Sequence, residues 1–139
     1  MENSPLKVGD SYEYLFSFSQ EQVNAFSELT GDFNPLHHDK EFAAQTPFKE
    51  PIIHGFLAGS VFSKVLGMEF PGKGSIYVSQ SMSFLRPMYV KKYYKAVFTV
   101  LNIDPTKKKG TIRTQIFDVE KNKQTIEGEA VIINERFVQ

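Results

Sequence analysis

The chain has 139 residues, with sixteen Lys plus Arg against sixteen Asp plus Glu and no cysteine. That length fits one domain, residues 1–139, and the balanced charge excludes a global field that would draw nucleic acid or an anionic membrane. The absence of cysteine excludes disulfides, a thiolate nucleophile and Cys-based zinc or iron–sulfur sites, which leaves histidines, carboxylates and hydroxyls for chemistry.

In chain order, Met1-Glu2-Asn3-Ser4-Pro5 lacks the basic and apolar regions of a signal peptide, and no apolar run reaches the roughly 20 residues that span a bilayer. The expectation is a cytoplasmic chain with no membrane partner. Tyr12, Tyr14, Phe16 and Phe18 alternate with smaller or polar residues, the pattern of a strand with one face buried. Ser19 and Gln22 form a capping-box pair, after which Val23, Phe26 and Leu29 predict a short helix that Gly31 stops. Asp39 is placed to cap a second short helix through Phe42, Ala43 and Ala44, ended by Pro47.

From Gly55 to Leu66 the sequence is apolar nearly all round, which predicts a buried helix. Period-two alternation then returns: Ile76, Val78, Gln80, Met82 and Phe84 alternate with Tyr77 and serines 79, 81 and 83, read as the polar face of a strand. Three further strands are predicted near Tyr93–Ile103, Thr111–Val119 and Thr125–Asn134, separated by turn-like polar segments. A helix without a polar face needs a wrapper, and these strands can supply it as a curved sheet. The expected class is α+β, an antiparallel meander wrapped around a central helix.

Between the helices lies Thr30-Gly31-Asp32-Phe33-Asn34-Pro35-Leu36-His37, followed about twenty residues later by Ile53-His54-Gly55-Phe56-Leu57. Gly31 and Pro35 keep the first segment from being helical, so Asp32 and His37 can converge on one small reactant such as a water molecule. Taken alone, Asp-X-Asn-Pro is also an ordinary Asx turn.

The segment Gly31-Asp32-Phe33-Asn34-Pro35-Leu36-His37 resembles the signature of the MaoC-like (R)-specific enoyl-CoA hydratases. The resemblance extends in order through Ala43-Ala44, Ile53-His54-Gly55, Leu66-Gly67, Pro71-Gly72-Lys73-Gly74-Ser75-Ile76-Tyr77 and Phe84-Leu85-Arg86-Pro87. It implies a hot-dog fold, a curved antiparallel sheet around a central helix, and a homodimer. One segment departs: where relatives usually carry Gly-Asp, this chain reads Tyr89-Val90-Lys91-Lys92-Tyr93-Tyr94.

The implied reaction is reversible hydration of a trans-2-enoyl-CoA to an (R)-3-hydroxyacyl-CoA. Related readings are a dehydratase acting on acyl-carrier-protein thioesters, a thioesterase and a non-catalytic acyl-thioester-binding protein. Within the hydratase reading, Asp32 polarises the water and His37 transfers the proton, with the reverse division of roles left open, and the side-chain amide of Asn34 orients Asp32 or the water. The Gly55 N–H, at the positive end of the buried helix, meets the charge that builds on the thioester oxygen.

No metal or organic cofactor is needed beyond the coenzyme A thioester substrate itself. His38 is expected to be solvated or capping, and His54 structural. Ser63, two turns into the helix, is read first as a hydroxyl bonded back to a carbonyl one turn earlier. As a functional alternative, Ser63 and Leu66, with Val131, line the acyl tunnel. Lys91, Lys92 and Lys95, or Lys107 to Lys109, are read as solvated edges or turns, with contact to coenzyme A phosphates as the alternative.

Overall fold

In the computed structural model, which describes residues 4–138, the alternating aromatics form strand β1, Ser11–Phe16. Met1, Glu2 and Asn3, on which part of the signal-peptide reading rests, lie outside the described residues. Helix α1, Gln20–Thr30, starts at the expected capping box, with the Ser19 hydroxyl accepting from the Gln22 N–H and the Gln22 side chain accepting from the Ser19 N–H. Gly31 ends it in the left-handed region, at φ 82°.

The inward stripe of α1 is not the expected one. Val23 and Ser27 are buried, Phe26 packs beside them, and Leu29 is 83% exposed. Steps of three drift about 60° per repeat around a helix, so two such steps carry Leu29 off the face that Val23 and Ser27 share.

A single 3₁₀ turn, Pro35–His37, leads to the short helix α2, Lys40–Ala44, whose N-terminal amides Glu41 and Phe42 donate to the Asp39 carboxylate. Helix α3, Gly55–Met68, follows, and then strands β2 (Ile76–Phe84), β3 (Tyr94–Asp104), β4 (Lys109–Asp118) and β5 (Lys123–Ile133). The five strands form one antiparallel sheet in the order β1-β3-β4-β5-β2. Phe98, Ile112, Ile116, Ala130 and Ile132 are wholly buried with Phe62, Val65 and Leu66 of α3, which makes α3 the centre of the core. This is the expected α+β hot-dog architecture.

Two features differ from expectation. The meander holds for β3-β4-β5, but β2 pairs with β5 at the far edge. Its connection to β3 runs across the start of α3, where the Ile53 N–H donates to the Met88 carbonyl and the Lys91 N–H to the Phe18 carbonyl. A link of that length, held at both ends, is a crossover and not a hairpin turn.

The second difference is in α3, which is not enclosed on all sides. Phe56 (70% exposed), Ser60, Ser63, Lys64 and Met68 (72%) form one outward stripe. Beside it, Ile76, Val78 and Phe84 of β2 are also exposed. An open sheet covers one side of a helix and leaves the other bare. None of the helices among the described residues is long and apolar enough to cross a membrane.

The Lys91-Lys92 departure also has a structural reading. Lys91 adopts φ 64°, a conformation costing a non-glycine residue about 1–2 kcal/mol. Lys92 forms an ion pair with the buried Asp118 carboxylate at 2.9 Å. Burial pushes the Asp118 carboxyl up, but Lys92 and the N–H groups of Lys121 and Glu120 outweigh it and hold the group below its ordinary value. Lys91→Gly is expected to be net stabilising by about 1 kcal/mol once the entropic cost of glycine is subtracted. Calorimetry should then show a melting temperature higher by about 4 °C.

Candidate active site

Asp32, His37 and His54 come together at the N-terminal end of α3, with one carboxylate oxygen and one nitrogen of each ring within 4.8 Å of one another. Asp32 is exposed, while His37 (8%) and His54 (3%) are buried. Asp32 and His37 are thus brought to within 4.8 Å of each other, measured between one carboxylate oxygen and one ring nitrogen.

The turn chemistry of the loop builds this arrangement. One Asp32 oxygen accepts from the Asn34 N–H at 3.3 Å, an Asx turn. The Asn34 side-chain oxygen caps the 3₁₀ turn by accepting from the Leu36 N–H at 3.0 Å. Asn34 therefore holds Asp32 through its main chain, and its side-chain carbonyl shapes the turn that carries His37. The Asx turn read as the ordinary alternative is thus the device that presents the carboxylate.

The tautomer of His37 follows from its partner. Its Nδ1 lies 2.7 Å from the Ile52 carbonyl oxygen, which can only accept, so Nδ1 carries the proton and Nε2 has a free lone pair. The His37 ring stacks on His54, with centroids 3.8 Å apart and planes 27° apart. The three groups lie within reach of a metal ion, but the His37 and His54 rings lie one over the other. A cation cannot lie in both ring planes without rotating one ring, so the set suits a water molecule better than a metal.

His54 is the N-cap residue of α3 and gives no side-chain bond to the first turn, which leaves the leading amides of the helix without a side-chain cap. A Cβ at Gly55 would fall 2.6 Å from the half-exposed Phe84 ring, so any larger residue at the helix start would have to push that ring aside. Gly55 opens on a cavity of about 380 Å³, walled by apolar side chains including Phe48, Ile52, Phe56, Phe84, Met88 and Ile126.

The proposed tunnel residues fall elsewhere. Ser63 lies on the exposed stripe of α3, and the hydroxyl bonded back to a carbonyl in that helix belongs to Ser60, which donates to Leu57 at 2.6 Å. Leu66 is wholly buried under the sheet. Val131 is half-buried and pairs with Ser79 and Thr111; strand alternation turns it to the opposite face from Ala130 and Ile132. None of the three lines the cavity at Gly55. Lys92 and Lys95 are taken up in ion pairs with Asp118 and Glu13, and Lys108 pairs with Glu135.

His38 and His54 carry more structure than expected. The buried Ser27 hydroxyl lies 2.6 Å from His38 Nε2 and 3.0 Å from His54 Nε2, and His38 Nδ1 lies 2.9 Å from Asn24 Oδ1. The signal in the sequence is Ser27 itself, a polar residue four positions after Val23 on the inward face of α1.

Burial pushes the His54 imidazole below the ordinary histidine value of 6.5, and the neighbouring His37 adds to the effect. The titratable groups facing it are Asp32 on the loop, His37 at the end of the 3₁₀ turn and His38 just after it. A histidine held neutral in the fold contributes stability that is fully present above 6.5 and is lost as the unfolded chain takes up its proton below it. Urea unfolding should therefore show stability falling from pH 7 to 5.5, with a smaller slope in His54→Phe.

The family description "MaoC like domain" matches residues 5–129. An (R)-specific enoyl-CoA hydratase of Aeromonas caviae is 42% identical, over 95% of this chain and 98% of the relative. A mitochondrial 3-hydroxyacyl-[acyl-carrier-protein] dehydratase of Arabidopsis thaliana is 35% identical, over 92% of this chain and 77% of its own. Among solved structures, an R-hydratase from Pseudomonas aeruginosa in its unliganded form superimposes with a TM-score of 0.87 at 36% identity, covering 94% of this chain and 85% of the other.

Proposed function

Since the chain belongs to the MaoC-like domain family, we propose that it is an (R)-specific enoyl-CoA hydratase, reversibly adding water to trans-2-enoyl-CoA to give (R)-3-hydroxyacyl-CoA. The observation that carries the reading is a His37 ring whose Nε2 is left free by the Nδ1 bond to Ile52, with one ring nitrogen within 4.8 Å of an Asp32 carboxylate oxygen at the open end of α3.

Both groups are acceptors, and a water molecule has two hydrogens to give. One hydrogen bond to Asp32 and one to His37 Nε2 leave the water oxygen with a lone pair free to attack C3. As the C3–O bond forms, the O–H proton passes to His37 Nε2, and the electron pair of the double bond moves toward the thioester oxygen. The Gly55 N–H donates to that oxygen, aided by the helix dipole. Collapse of the enolate takes the proton from His37 at C2, and the imidazole returns neutral. Atoms and charge balance without a cofactor.

The apolar cavity at Gly55 suits the acyl chain, with the thioester carbonyl at its mouth. The exposed stripe of α3 and the open edge of β2 adjoin one another, and their exposed Phe56, Met68, Ile76, Val78 and Phe84 lie beside unpaired strand groups of the kind that a second copy covers. We therefore infer a homodimer, in which Ser63 faces the second protomer and any influence on chain length is exerted from that side.

The Arabidopsis relative keeps open the same chemistry run in the dehydrating direction on a carrier-protein thioester. The test is a hydration assay following loss of enoyl absorbance across trans-2-enoyl-CoA chain lengths, with the product's chirality determined. Formation of (R)-3-hydroxyacyl-CoA supports the reading. Thiol release without hydration would identify a thioesterase, and binding without turnover a non-catalytic acyl-thioester protein.

A further inference from the structure

Behind the Asp32–His37 pair, a line of side chains runs from the surface of α1 to the buried His54, and the proton on each atom can be assigned. Gln20 Nε2 donates to Asn24 Oδ1 at 3.1 Å, which identifies that atom as the amide oxygen, an acceptor only. His38 Nδ1, 2.9 Å from the same oxygen, must donate to it. A neutral His38 is then an acceptor at Nε2, so the Ser27 hydroxyl donates there at 2.6 Å. The Ser27 oxygen, its proton committed, accepts from His54 Nε2 at 3.0 Å. The Asp32 carbonyl oxygen, 3.4 Å from His54 Nε2, requires a donor at the same atom. Two acceptors thus place the His54 proton on Nε2.

The remaining nitrogen, His54 Nδ1, is buried and has no hydrogen-bond partner in the structure. A proton there would be an orphaned buried donor, costly in a way that a bare lone pair is not. The ring is therefore fixed in both tautomer and plane. Its face lies 3.8 Å from the His37 ring. His37 is itself held by one hydrogen bond, from Nδ1 to the Ile52 carbonyl, and a single bond leaves a ring free to swing about that axis. The stack removes the swing.

We propose that His54 is a positioning residue of the hydration site: the Asn24–His38–Ser27 chain locks its imidazole as the Nε2–H tautomer, and the locked ring sets the plane in which His37 Nε2 meets the reacting water. The inference rests on the hydratase reading for its kinetic consequence but not for the tautomer, so the two can fail separately.

The experiment joins a spectroscopic readout to a kinetic one. In ¹⁵N-labelled wild-type protein near pH 7.5, nitrogen–proton correlation spectra should show His54 protonated at Nε2 alone, and in Ser27→Ala, where only the Asp32 carbonyl at 3.4 Å remains as acceptor, that Nε2–H signal should shift and exchange faster with solvent. With trans-2-enoyl-CoA as the probe, Ser27→Ala should lower kcat about tenfold while leaving KM within about twofold, the mark of misalignment and not of lost binding. His54→Phe keeps a ring on His37 but severs the chain, and should show the same split; it decides the matter if Ser27→Ala does not fold. Wild-type His54 protonated at Nδ1, or a folded variant of either kind with unchanged kcat, overturns the proposal. A wild-type protein that hydrates no enoyl-CoA overturns the functional reading instead, while the spectra still decide the tautomer.

Discussion

Asp32→Asn and His37→Ala are each expected to lower kcat/KM for enoyl-CoA hydration by roughly 10³-fold, the range of a general acid–base group. The Asn side chain is isosteric with Asp and keeps an oxygen for the Asn34 N–H, so the loop geometry survives while the charge that polarises the water is lost. The exposed position of Asp32 keeps the stability change within about 0.5 kcal/mol. His37→Ala removes the free Nε2 together with the bond to Ile52 and the stack on His54. Both should act on kcat far more than on KM, because neither side chain lines the apolar cavity.

The double variant sharpens the prediction. If both groups act on one water molecule, removing the second after the first costs little, and the combined loss should be about that of the worse single variant. Independent roles would multiply to about 10⁶-fold. Full rate in both single variants would leave the pair without a catalytic role.

Much of this site is legible in the sequence because its parts are local. The capping box at Ser19 and Gln22, the Gly31 stop, the Asp39 cap and the Pro35 turn are each decided within four residues, and together they deliver Asp32 and His37 to one end of α3. What the sequence leaves open is decided across the chain. Leu29 is apolar and near helical spacing, but only the placement of the sheet shows that α1 turns Val23 and Ser27 inward instead.

The strands follow the same division. The alternation of β2 identifies a strand, while its pairing with β5 depends on a crossover that no local signal encodes. Asn34 has the residue type expected near a catalytic carboxylate, yet its side-chain oxygen serves the Leu36 N–H, a role any 3₁₀ N-cap fills. The Ser27–His38–His54 connection joins three segments and is invisible until they are folded together. For α3, apolar character all round is compatible both with burial inside one chain and with burial partly against another. The exposed Phe56 and Met68 mark a side of it that this chain leaves uncovered.

Gly128→Ala is expected to be among the most damaging single-methyl changes in the molecule. Gly128 pairs with Met82 across β5 and β2, and a Cβ built there falls 2.0 Å from the Ser81 carbonyl oxygen, an atom of the backbone. Side chains relieve such overlaps by changing rotamer; a strand backbone can do so only by breaking its ladder. Gly59→Ala is the informative contrast, because the nearest atom there is the Met82 sulfur at 2.5 Å, the end of an adaptable side chain.

Urea unfolding should give a loss of about 3 kcal/mol or more for Gly128→Ala and about 1 kcal/mol for Gly59→Ala, against a total of roughly 5–15 kcal/mol for a domain. Displacing β2 also shifts Phe84, which closes on Gly55 beside the cavity, so surviving Gly128→Ala protein should hydrate poorly as well. A Gly128→Ala variant as stable as Gly59→Ala would mean that β2 moves freely on β5. The edge strand would then be too loosely held to fix either Phe84 against the helix start or the surface inferred to meet a second protomer.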